Sequence, residues 1–264
     1  MSRTVSTPVS VRVWESNFVL YKRIWFSNAV GSVLQPFLYL LGMGVGVGSL
    51  IDKGGNADRM LDGATYLGFL APGLIATTAM MTCATEAMWP LMDGFRWTEG
   101  FHATAATPVR PVDLVSGIAL WVATRAVIAS GAVAVVLVLF DETRSWGLLL
   151  AVGFAVLTGL AFAVPLAAWT STREGDASFP AILRFGLIPM FLFAGAFFPV
   201  DQLPAWLRPI AYVTPLYHGV ELCRNAVLHR LEVGSTAIHV GVLLAVIVVT
   251  WVIARRLFTK RLYR

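Results

Sequence analysis

The chain has 264 residues, 57% hydrophobic and 13% charged, with a mean hydropathy of +0.73 and a formal charge of +5 at pH 7. Soluble domains carry roughly 45–50% apolar and about 25% charged residues, so this composition excludes an ordinary globular enzyme and a disordered or fibrous chain, and requires lipid as the main solvent. At about 20 residues per crossing helix, the length admits about six or seven crossings and no large extramembrane catalytic domain.

Residues 1–27 are polar to amphipathic. Val11, Trp14, Phe18 and Tyr21 recur near helical spacing, with Arg12, Glu15, Lys22 and Arg23 between them. That pattern predicts an N-terminal helix lying in the membrane interface. The same stretch lacks an apolar core of signal-peptide length, so no cleaved leader is expected. The first span is predicted over 28–51, with Pro36 inside it and Gly42, Gly44, Gly46 and Gly48 near its end. Small residues four apart permit close helix approach, as general packing or as a dimer face. A polar loop follows at 52–65.

The second span is predicted over 66–90 and ends near Glu86. Residues 91–113 are polar. The third span, 114–140, contains Arg125, and the turn DETRS leads to the fourth, 146–170. An arginine inside a span costs at least about 2.5 kcal/mol unless paired or hydrated, and Glu86 is the candidate partner. Residues 171–184 are polar, and a short fifth span is predicted over 185–199 with Pro189 inside it.

Residues 200–235 are too polar to cross lipid but rich in Leu, Trp, Tyr and Val. Thr214-Pro215 is a helix start, with Pro in the first helical position. From there Leu216, Val220, Cys223 and Val227 make one apolar stripe. The reading is a pair of short amphipathic helices dipping into one face of the membrane. Asp201, His218, Glu221 and Arg224 are the polar residues there, as an exit gate or as a solvated helix face. The sixth span is predicted over 236–254, before the basic tail RRLFTKRLYR.

Placing both termini in the cytoplasm puts 13 Lys and Arg on that side and six on the other, as the positive-inside rule requires. The basic residues therefore report membrane orientation, and no nucleic-acid partner is expected. Gly-Lys never occurs, so there is no phosphate-binding loop of the G-x-x-x-x-G-K-[ST] type. H-E-x-x-H, C-x-x-C and G-x-S-x-G are also missing. Cys83 and Cys223 are far apart, and the four histidines are scattered. Neither a catalytic constellation nor a metal site is expected.

Three stretches carry a family resemblance. They are LQPFLYLLGMGVGVG (34–48) with YLGFLAPGL (66–74), ATPVRPVDLVSG (106–117) with LWVATRA (120–126), and MFLFAGAFFPVDQLPAWLRPIAYVTPLYHGVEL (190–222). The chain resembles the permeases of the ABC-2 transporter family, in the branch of nodulation lipo-oligosaccharide and drug exporters. The third stretch is the most specific. The resemblance implies an all-α integral membrane protein made of a single ABC-2 transmembrane domain, 1–264. It implies an interfacial helix, six transmembrane helices, a cytoplasmic coupling helix between spans 2 and 3, and a re-entrant pair between spans 5 and 6. It further implies a bacterial plasma-membrane exporter of amphiphilic or hydrophobic cargo, with two permease copies among membrane lipids. Two separate ATP-binding subunits would carry ATP and Mg, so the chain itself would be no enzyme and hold no cofactor.

On that resemblance the ATPase-coupling residues are Phe95, Arg96, Trp97, Glu99, Phe101, His102, Thr107, Pro108, Arg110 and Asp113. Phe95, Trp97 and Phe101 are the expected aromatic anchors, and Thr107-Pro108 the end of the helix. An ordinary solvated loop is the plainer reading. Two positions depart from the family: His102 and Gln35 stand where relatives often carry acidic residues. The rival functions are an ATPase-independent secondary transporter or channel, and a membrane enzyme or assembly scaffold.

Overall fold

The computed structural model describes residues 8–53 and 64–263, and every regular element among them is helical. Backbone polar groups in lipid must be satisfied within the segment, and long Ala/Leu/Val-rich runs do this as helices. The first helix, α1 (Val9–Tyr39), continues through a π-helical stretch, Leu40–Val47, into a last turn, Gly48–Lys53. Next come α2 (Tyr66–Glu86), α3 (Trp89–Met92) with a π-helical turn at Asp93–Trp97, and the short α4 (Gly100–Ala105). The long helices α5 (Pro111–Leu137) and α6 (Gly147–Thr170) follow, then α7 (Phe179–Phe193), whose middle, Leu183–Leu187, is π-helical. A 3-10 turn (Val200–Gln202), α8 (Arg208–Val213), α9 (Pro215–Val227) and α10 (Val233–Leu262) complete the described chain.

Local signals explain several boundaries. The Thr65 hydroxyl accepts from the Gly68 amide at the start of α2. Pro111 takes the first position of α5. Ser145 Oγ accepts from the Gly147 amide at the start of α6, at 3.0 Å. Helices α5 and α6 begin within three residues of their predicted starts. Helix α10 outruns the predicted 236–254 because nothing in the basic tail breaks it, and Lys260 and Arg261 occupy its last turn, where cations suit the helix dipole.

Two expectations are corrected. The interfacial helix (1–27) and the first span (28–51) are not separate elements, since α1 runs unbroken through residue 28. No proline stands between Pro8 and Pro36 to end it. The 31-, 8- and 6-residue stretches together run about 65 Å at 1.5 Å per residue. That is about twice the hydrocarbon thickness, so α1 runs obliquely or emerges from the lipid. Its amphipathic half packs on α5: the Trp14 indole donates to Thr124 Oγ1 at 2.9 Å, and the Tyr21 ring meets that of Trp121 at 5.6 Å. The glycines at 44 and 48 bring its far end against Leu67 and Tyr66 of α2.

The second correction is the fifth span. The helix there is Phe179–Phe193, not 185–199, and the chain leaves it before Gly195, whose φ of +84° is open to glycine at little cost. The expected six spans are met only in part by helix length. Four helices among the described residues are long and apolar enough to cross a membrane: Tyr66–Trp97, Pro111–Leu137, Gly147–Thr170 and Val233–Leu262. The other two apolar helices, Pro36–Leu50 and Phe179–Phe193, are shorter. Most of the polar loop expected over 52–65 lies outside the described residues.

Helix α2 is the axis of the bundle, packed between α5, α6 and α9. In its most apolar window 83% of residues are buried, against 11% for the peripheral α10. The stripe Leu216, Val220, Cys223 and Val227 is buried on α9, which lies against α6 and α2. Links between Thr65 and Glu142, Ser145 and His229, and Gly147 and Ala226 gather one end of the bundle. Residues 93–113, 170–178 and the α10 C-terminus gather at the other.

Candidate functional site

The expected coupling residues sit at the second end. Asp93–Trp97 extends α3, and Glu99, at φ +53°, breaks the chain before the six-residue α4. The segment is therefore two short helices and not one, because the left-handed turn at Glu99 separates them. Helix α4 ends at Ala105, just before Thr107-Pro108, and Thr107 Oγ1 donates to the Thr104 carbonyl at 2.6 Å. Phe101 lies against Gly94, where a Cβ would come within 2.5 Å of its ring.

Phe95, expected to face a partner, does not. It is 2% exposed, with the rings of Phe101 and Phe258 at 4.9 and 5.1 Å. It lies within the π-helical turn and is buried there, so it braces the segment from within. Trp97 is 54% exposed. Arg96 reaches Glu174 at 3.8 Å across the surface. Arg110 holds Asp113 through two bonds of 3.0 and 3.3 Å. That bond keeps the Arg110 guanidinium above its ordinary pKa.

Arg96, Glu99, His102, Thr172, Glu174 and Arg261 border a hollow of about 370 Å³. Sequence reasoning missed Arg261. Its Nη1 donates to the carbonyls of Thr170, Ser171 and Arg173 at 3.2, 2.9 and 2.7 Å. It thereby caps α6, and its guanidinium carbon lies 4.4 Å from the Phe95 ring centre. One side chain thus joins the last helix, the end of α6 and the segment bearing Arg96 and Trp97. Its only sequence signal was a cation in a final helical turn.

Deeper in the bundle, Arg125 Nε donates to Glu86 Oε1 at 2.7 Å, with the side chains 11% and 15% exposed. The Trp121 indole donates to Glu86 Oε2 at 3.3 Å, and the Tyr21 ring covers the guanidinium at 4.6 Å. This joins α2, α5 and α1.

The four residues expected at the re-entrant pair divide. Arg224, 7% exposed, donates to Glu221 Oε1 at 2.6 Å, to the Gly195 carbonyl at 2.6 Å and to the Phe69 carbonyl at 3.3 Å. Its guanidinium stands 3.6 Å from the Phe69 ring centre. It therefore ties α9 to α2 and to the chain reversal after α7, and is not on a solvated face. His218, 9% exposed, meets His239 of α10, Nδ1 to Nδ1, at 2.7 Å. Asp201 stands outside these bonds and accepts from the Tyr212 hydroxyl at 2.8 Å, which raises the Tyr212 pKa.

No group of three or more metal-ligating His, Cys, Asp or Glu occurs among the described residues. What the arrangement supplies is mechanical: a braced, charged surface at one end, a central ion pair, and a pinned half-helix at the other end.

A family model described as ABC-2 type transporter matches residues 11–228. Nodulation protein J of Rhizobium leguminosarum bv. viciae is 31% identical over 252 residues, 96% of this chain and 94% of the relative. Nodulation protein J of Rhizobium leguminosarum bv. trifolii is 31% identical over 254 residues, with the same coverage. Nodulation protein J of Rhizobium meliloti (strain 1021) is 29% identical over 252 residues, 96% of this chain and 93% of the relative.

Proposed function

The chain belongs to the ABC-2 type transporter family, and from that premise we propose that it is the permease subunit of an ATP-driven exporter of amphiphilic or hydrophobic cargo in a bacterial plasma membrane. ATP hydrolysis takes place on a separate ATP-binding subunit, which docks on Arg96–Asp113 beside the 370 Å³ hollow. The observation carrying this reading is that hollow. Its rim is charged, Trp97 projects beside it, and Phe95 and Arg261 tie it rigidly to α6 and α10. A coupling element has to pass displacement to the bundle without absorbing it, and this one is braced in that way. ATP binding on the partner shifts the population between inward-open and outward-open states.

In this reading Pro36–Leu50 and Phe179–Phe193 complete six crossings, and both termini are cytoplasmic. Two permease copies form the path, and the cargo is a lipo-oligosaccharide, glycolipid or drug. The whole chain acts as one transmembrane domain. The test is native mass spectrometry of the protein extracted gently from its own membranes. Two permease copies with two ATP-binding subunits are expected. A homo-oligomer that transports without any nucleotide-binding partner overturns the proposal in favour of a secondary transporter.

A further inference from the structure

A second concavity lies at the same end of the bundle, between the start of α5 and the last turns of α10. It holds about 630 Å³. Arg110, Arg255, Arg256 and Lys260 border it, and Val112 and Val252 line its wall. Arg110 is engaged by Asp113. Arg255, Arg256 and Lys260 form no ion pair with a carboxylate among the described residues. Helix α10 leads into this groove along an exposed apolar stripe: Val248, Val249, Val252 and Ile253 are 60%, 61%, 44% and 47% exposed. The stripe stops at Arg255. Apolar surface therefore gives way, within about two helical turns, to three cations that form no ion pair among the described residues, as at the boundary between acyl chains and headgroups.

We propose that this groove binds an anionic phospholipid, with Arg255, Arg256 and Lys260 on the headgroup phosphate and an acyl chain against Val252 and Val112. The charge complements the headgroup, and the apolar wall continues the stripe beside which the chain would lie. The site would fix a lipid against the two helices nearest the coupling segment. It needs no ATP-binding subunit, so its test is independent of the functional reading above.

The purified protein is delipidated in detergent and titrated with dioleoyl phosphatidylglycerol or dioleoyl phosphatidylcholine, and bound lipids are counted by native mass spectrometry. Phosphatidylglycerol is expected to bind the more tightly. Each basic residue at an anionic surface contributes about fivefold, so Arg255→Gln/Arg256→Gln/Lys260→Gln should lower phosphatidylglycerol affinity on the order of 100-fold. Phosphatidylcholine binding should not change. The triple variant Arg96→Gln/Arg173→Gln/Arg184→Gln removes the same charge outside the groove and should lose less than about threefold. Equal losses in the two triple variants overturn the site in favour of diffuse surface charge. Unchanged phosphatidylglycerol binding also overturns it, as does displacement of the lipid by millimolar inorganic phosphate, which marks a simple anion pocket. If the triple variant does not survive extraction, Arg256→Gln alone carries the test, with an expected fall of about fivefold.

Discussion

The Glu86–Arg125 pair offers the sharpest check on how the bundle is held. The nitrogen and oxygen stand 2.7 Å apart, in side chains 11% and 15% exposed. At that separation the Coulomb attraction is about 6 kcal/mol for an effective dielectric of about 20, and most of it offsets desolvation of the two charges. Removing one partner strands the other. Among the described residues, Arg125→Ala leaves the Glu86 carboxylate the Trp121 indole, and Glu86→Ala leaves the guanidinium the Tyr21 ring face. Breaking a buried pair in this way costs about 3–5 kcal/mol. The residual exposure places both single variants near the lower value, about 3 kcal/mol. For a chain of this size that is a fall of about 6–12 °C in Tm. The double variant removes both charges and leaves none stranded, so it should lose clearly less than the sum, with a coupling of about 2 kcal/mol. The assay is thermal unfolding in one detergent at a fixed scan rate, followed by tryptophan fluorescence. A double-variant loss equal to the sum of the singles, or single variants within about 1 °C of the parent, would refute the pairing as a source of stability.

Four further outcomes are expected. A Cβ at Gly219 would come within 2.1 Å of Thr158 Oγ1, so Gly219→Ala should cost about 1–3 kcal/mol, and Thr158→Ala should restore most of it. By contrast, Gly147→Ala meets the Ala226 carbonyl at 1.9 Å, so no side-chain truncation should rescue it. The His218–His239 bond needs one neutral ring. Acid that protonates both rings leaves no acceptor between them, so lowering the pH should lower the Tm and loosen α9 from α10, and His239→Gln should flatten that pH dependence. Trp97→Ala should leave the Tm within about 1 °C, as for most exposed substitutions, while cutting retention of a co-purifying ATP-binding subunit at least about tenfold. A fall in Tm with unchanged retention would make the ring structural.

Much of this was legible where periodicity or chemistry left one solution. The stripe on α9 could be read because Leu216, Val220, Cys223 and Val227 keep helical spacing, and Thr214 does cap the helix before Pro215. The approach of Glu86 to Arg125 could be anticipated because lipid penalises a lone charge. The continuity of α1 was hidden because a change from amphipathic to apolar sequence alters the surroundings of a helix without breaking it. The early end of α7 depends on Gly195 and on Arg224 gripping its carbonyl from 29 residues away. Arg261 reaches back 88 to 91 residues to cap α6. Such links are fixed by packing and leave no local pattern. Phe95 was misassigned because an aromatic in a polar segment reads alike whether it projects outward or braces from within.

The grip of Arg224 has a consequence for how this protein tolerates change. Two of its three acceptors are main-chain oxygens, those of Phe69 and Gly195. A carbonyl is present whatever side chain its residue carries. Substitution at position 69 therefore removes a ring face and leaves the acceptor in place. Position 224 has no such latitude, because lysine lacks the fork that reaches three acceptors at once. Mutational sensitivity at this junction is thus lopsided: drift on α2 is absorbed, and the hold on α9 depends on one side chain.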